Sequence, residues 1–115
     1  MRTLNEYFLT GEIVDISTAG QIYIPVPDGG TVVAIYSVIG GAIATADVVL
    51  TAKIGGTAIT GGAITVTYSG SAAGDVDVVY PTAARTVVTG GSIEIETGGQ
   101  STNTIAAGIT VVIRR

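Results

Sequence analysis

The 115-residue sequence predicts an all-β fold, an antiparallel two-sheet sandwich, jelly-roll-like, of eight or nine short strands, and three observations carry that prediction. Apolar and polar residues alternate at period two through most of the chain, the signature of strands with one buried face. Gly-Gly pairs starting at positions 29, 40, 55, 61, 90 and 98 interrupt the alternation at irregular intervals, which suits turns and excludes a solenoid repeat. Thr, Val and Ile dominate the apolar runs, and β-branched side chains lose χ1 freedom in a helix while packing well on a pleated sheet.

In chain order, residues 1–10, MRTLNEYFLT, stand apart, because they hold the only Phe with a Tyr beside it and carry no Gly-Gly pair. They read as an N-terminal arm ahead of a sandwich domain of residues 11–115. Leu4, Tyr7, Phe8 and Leu9 gather bulky apolar groups there and are the candidate interface residues. A neighbouring subunit or a partner protein is the expected cover, since aromatic side chains anchor interfaces and edge strands accept further strands. The plainer alternatives are an extra edge strand or a poorly ordered terminus.

Residues 12–16 alternate as a strand, residues 18–20 turn, and residues 21–26 form a strand that must lie at a sheet edge or stop at Pro25, which cannot donate to a ladder. Asp28-Gly29-Gly30 turns into a long strand over residues 31–39. Residues 31–52 match a membrane span in length and hold one charge, Asp47, but Gly40-Gly41 and the β-branched content read better as two strands around a turn. No secretory signal pattern follows Met1.

Residues 47–69 predict a three-stranded meander. Val48, Leu50, Ala52 and Ile54 share one parity, and Gly55-Gly56 supplies the two positive-φ positions of a type I′ hairpin. Residues 57–60 then return, Gly61-Gly62 turns the chain again, and Ile64, Val66 and Tyr68 line a third strand. Residues 75–80 form a strand closed by Pro81, and Val87-Val88 a weak one. Over residues 92–97 Ile93 and Ile95 point inward against Glu94 and Glu96, and after a polar loop residues 109–114 read as a buried strand.

Composition narrows the function. Hydrophobic residues make up 47% and charged ones 12%, and the mean hydropathy is +0.61. So little polar surface on so small a chain points to self-association, with apolar faces buried between subunits. A net charge of −4 with five scattered basic residues argues against a nucleic-acid partner. No Cys and no His are present, which removes disulfides, thiolate chemistry, the commonest general base and the commonest transition-metal ligand. Ser and Thr abound but lack a histidine to activate them, and no phosphate-binding glycine motif sits between a strand and a helix. Asp75-x-Asp77 and Glu94-x-Glu96 place paired carboxylates on one strand face, a geometry open to Ca²⁺ or glycoside hydrolysis and explained more simply by solvent-facing alternation. Tyr7, Tyr23, Tyr36, Tyr68 and Tyr80 allow sugar stacking, with packing at the core edge the simpler account. No catalytic, cofactor-binding or metal-binding residue is assigned.

Residues 26–62, VPDGGTVVAIYSVIGGAIATADVVLTAKIGGTAITGG, together with residues 101–115, STNTIAAGITVVIRR, resemble the small head decoration, or capsid cement, proteins of tailed bacteriophages and prophages. The resemblance lies in the Gly-Gly turns, the Ala/Thr/Val-rich strands and the terminal VVIRR. It implies a homo-oligomer, a trimer, that binds the phage major capsid protein at the virion surface. Such a protein is made in the bacterial host cytoplasm, works without a cofactor or enzymatic activity, and uses no membrane. The alternative is a carbohydrate- or receptor-binding module of a phage fibre.

Overall fold

The computed structural model describes residues 5–115; Leu4 and the residues before it lie outside that range. Nine strands run through the described residues: β1 (Glu6–Ile13), β2 (Gly20–Pro25), β3 (Gly30–Ile39), β4 (Val48–Ile54), β5 (Thr57–Val66), β6 (Val76–Val79), β7 (Thr86–Val87), β8 (Ser92–Thr97) and β9 (Ala107–Arg114). They form two antiparallel sheets, one in the order β1-β9-β3-β6 with β7 beside β3, the other in the order β2-β8-β4-β5. The pairs β1–β9, β2–β8, β3–β6 and β4–β5 are those of a long two-stranded ribbon. Pairing of β3 with β9 and of β4 with β8 then wraps that ribbon into a jelly roll, as the alternation and turn pattern predicted.

The inner faces meet in one core. Ile35, Ile39, Ile109, Val111 and Ile113 come from the first sheet and Leu50, Ile64, Ile93 and Ile95 from the second, all nearly inaccessible to solvent. The sheets come close at Gly11, where an added Cβ would stand 3.0 Å from both Ile22 Cδ1 and Ile24 Cγ1. Ser37 is buried in the same interior with no partner for its hydroxyl among the described residues. A desolvated hydroxyl without a hydrogen bond costs about 1–3 kcal/mol, so Ser37→Ala is expected to leave stability unchanged or raise it by about 1 kcal/mol in urea denaturation.

Several turns differ from expectation. Gly55 and Gly56 take φ of 60° and 82° and join β4 to β5 with Ile54 opposite Thr57, the anticipated type I′ hairpin. Gly61-Gly62, by contrast, lies inside β5 and makes a bulge. Thr51 faces Ala63 while Lys53 faces Ala58, so β5 carries three extra residues there. The bulge persists because Thr60 leaves the ladder to bridge Ala83 in the loop before β7, its amide donating to Ala83 O at 3.0 Å. The expected three-stranded meander is therefore one hairpin. Gly40-Gly41 does not close a hairpin either: β3 and β4 belong to opposite sheets, and residues 40–47 cross between them.

The expected strand at residues 12–16 ends at Ile13. Asp15 accepts bonds from the Ser17 amide (2.9 Å), the Ser17 hydroxyl (2.5 Å) and the Thr18 hydroxyl (3.0 Å), closing a tight turn that a strand would forbid. The Ser17 bonds, with help from Thr18, hold the Asp15 carboxyl below its ordinary value of 3.8. A lowered folded value means that the contribution is full above pH 3.8 and fades as pH falls further, through the folded pKa. Asp15→Asn is expected to lower the midpoint of thermal unfolding at neutral pH, with the difference from the parent shrinking below that pH.

Candidate assembly face

Period-two geometry divides the expected arm. From Glu6 onward it is β1, paired with β9 from Glu6 opposite Arg114 to Ile13 opposite Ala107, so the strand runs unbroken through the expected boundary at residues 10 and 11. Tyr7 and Leu9 point into the sandwich and pack against the core, which is this chain's own cover for them. The Tyr7 hydroxyl also donates to Asp28 O, and the Arg115 guanidinium lies 5.6 Å from its ring centre. Of the described candidate residues only Phe8 faces outward, 48% exposed. An apolar residue in a strand is assigned to the nearest core by default, and that rule holds for Tyr7 and Leu9 because odd positions of β1 face inward.

Phe8 opens onto the outer face of the first sheet, whose rows follow from the register. Glu6, Arg114 and Thr31 form one row, and Phe8, Val112 and Ala34 the next. Thr10, Thr110, Tyr36 and Val78 form the third, and Glu12, Gly108, Val38 and Val76 the fourth. Tyr36, Val38, Val76, Val78 and the adjoining Tyr80 are 37–64% exposed, in contiguous positions. Short of Arg114 at its end, the central strand β9 contributes only Gly108, Thr110 and Val112 to this face, so its column is a groove between Phe8 on one side and the β3 and β6 residues on the other. Two shallow depressions lie along it: one of about 400 Å³ bounded by Phe8, Tyr36, Tyr80 and the Glu6–Arg114 ion pair, the other of about 250 Å³ over Gly108 and Thr110 beside Val38 and Val76.

The outer face of the second sheet has the opposite character. Gln21, Glu96 and Thr51 make one row and Tyr23, Glu94 and Lys53 the next, with Lys53 Nζ 3.2 Å from Glu96 Oε1. Glu94 and Glu96 thus stand on the solvent side, as alternation predicted. Asp75 and Asp77 lie beside a cleft of about 240 Å³ at the β5–β6 edge, where Asp75 Oδ2 accepts the Ala72 amide at 2.9 Å. Among the described residues no three His, Cys, Asp or Glu side chains gather as a metal site. The residues that the sequence reading missed are Val38, Val76 and Val78; it singles out Tyr36 and Tyr80 only as scattered tyrosines, not as neighbours on this face. On β6 Val76 and Val78 face out while Asp77 and Val79 face in, and period two alone does not say which parity is buried.

No known protein family and no curated protein matches the sequence. Solved structures share the fold. A chain in the acid-stable capsid structure of Helicobacter pylori bacteriophage KHP30 is similar with a TM-score of 0.59 at 15% identity, over 96% of this chain and 87% of that one. A chain in the capsid asymmetric unit of cyanophage Pam1 is similar with a TM-score of 0.54 at 12% identity, over 96% and 84%. Dimeric latent PorU from Porphyromonas gingivalis contains a similar unit, with a TM-score of 0.51 at 11% identity over 96% of this chain and 13% of that one.

Proposed function

We propose that this protein is a structural component of a phage virion, a decoration protein that stabilises the capsid by non-covalent, multivalent binding to the coat lattice as a homotrimer. The single observation that carries the reading is the contrast between the two outer faces of a sandwich whose fold recurs in phage capsid structures. One face is mainly polar, with Tyr23 standing alone among Glu94, Glu96 and Lys53; the other exposes contiguous aromatic and valine side chains that a soluble monomer would leave wet. Burying that face between subunits yields a rigid oligomer that meets the lattice at several points at once, and several weak contacts made together give high avidity without ordering cost.

Co-sedimentation with capsids of the phage or prophage that encodes the protein, prepared without it, tests the proposal. Saturable binding with a raised capsid disruption temperature is the expected result, and absence of binding at tens of micromolar would refute it. A second reading, a glycan-binding module, draws on Phe8, Tyr36 and Tyr80 around one depression with a carboxylate and a guanidinium at its rim. Saturable signal on a glycan array, lost in Tyr80→Ala, would favour that reading instead.

A further inference from the structure

The described arginines are confined to one end of the strand axis. Glu12, Asp15, Asp47, Asp75 and Asp77 all lie on or beside the end where β1 finishes and β9 begins, and no Lys or Arg among the described residues accompanies them. Arg85, Arg114 and Arg115 lie at the opposite end, where Glu6 holds Arg114 and Asp28 holds Arg115. The apolar groove runs from one end to the other, so its mouth beside Glu12 and Val76 is acidic. The arginine end also carries Val88, 71% exposed on the loop that joins β7 to β8.

We infer that the apolar face of each subunit is covered by the arginine end of a second copy of this chain. Val88 enters the depression over Gly108, and Arg85 and Arg115 approach Glu12 and Asp75. This rests on the structural role proposed above and names the partner of the same face. The charge pattern selects the occupant: the acidic mouth has no cation of its own among the described residues, whose arginines, Arg85 with the ion-paired Arg114 and Arg115, stand at an end of the chain that reaches the groove only from another copy. The contact is heterologous, each copy giving one surface and receiving on another; a rotation of one third of a turn closes it into the trimer proposed above, and a rotation that does not close would give a filament. Three aromatics and three valines at these exposures present on the order of 500 Å² per face, which with the covering surface reaches the roughly 1,000 Å² that a specific interface needs.

Sedimentation equilibrium of the full chain at tens of micromolar decides the inference. The parent is expected to be a trimer and Val88→Asp a monomer, with circular dichroism showing an unchanged sheet. Glu12→Lys with Asp75→Lys weakens assembly about tenfold or more, most strongly at low salt, and Arg85→Glu with Arg115→Glu does the same. All four changes in one chain restore it. A monomeric parent, or assembly indifferent to Val88→Asp and to both charge reversals, overturns the inference. If a reversed variant fails to fold, Val88→Asp on its exposed loop still decides. A monomeric parent that sediments with capsids refutes only the self-contact, whereas a parent trimer that ignores capsids refutes only the virion role.

Discussion

Deletion of residues 2–9 is expected to unfold the sandwich. Four of the eight β1–β9 pairs, from Glu6 opposite Arg114 to Leu9 opposite Val111, would vanish. Tyr7 and Leu9 would leave the core, and Arg114 and Arg115 would lose Glu6 and the Tyr7 ring. Two large side chains at about 1.5–3 kcal/mol each, with the lost ladder, place the penalty at about 4–8 kcal/mol, comparable with the roughly 5–15 kcal/mol total stability of a domain. Far-ultraviolet circular dichroism with urea denaturation reads the outcome, and an unchanged cooperative midpoint would contradict it. Phe8→Ala, on the other face of the same strand, is expected to keep the fold.

Tyr36→Lys combined with Val78→Lys is expected to separate folding from assembly. The two residues stand opposite each other across β3 and β6, both at 37% exposure, so lysine stems are accommodated with their charges in solvent. Two ammonium groups in the middle of an apolar interface must be desolvated on association without a partner. Hot-spot magnitudes put the loss at about 4 kcal/mol, roughly 1,000-fold in association. Sedimentation equilibrium measures it, and a variant that associates as tightly as the parent would remove this face from any account of assembly.

Much of the fold is legible in the sequence, and the exceptions share a cause. Strands such as residues 92–97 alternate cleanly because one face meets the core and the other meets water. Gly55-Gly56 reads correctly as a hairpin because its geometry is local. Gly61-Gly62 reads incorrectly because bulges and turns use the same residue type, Gly61 having φ 76°, and the choice is made by Thr60 bonding a loop some twenty residues later. The candidate face was illegible for a related reason. Phe8, Tyr36, Val38, Val76, Val78 and Tyr80 come from three strands and the end of one of them, and only the register of β1, β9, β3 and β6 shows that they are neighbours on the outside.

The place of β9 also governs how the chain acquires this structure. It is the last strand in chain order and sits in the middle of its sheet, between β1 and β3, so partners about a hundred residues apart must find each other before that sheet exists. The β4–β5 hairpin can form within microseconds, but closure across such separations belongs to the millisecond-to-second regime of non-local β topologies. During synthesis β1 and β3 wait without the strand that joins them, with Ile35 and Ile39 exposed. The vulnerable species is therefore the nascent chain that has exposed β1 to β8 without β9, and chaperone demand is expected to peak at that stage.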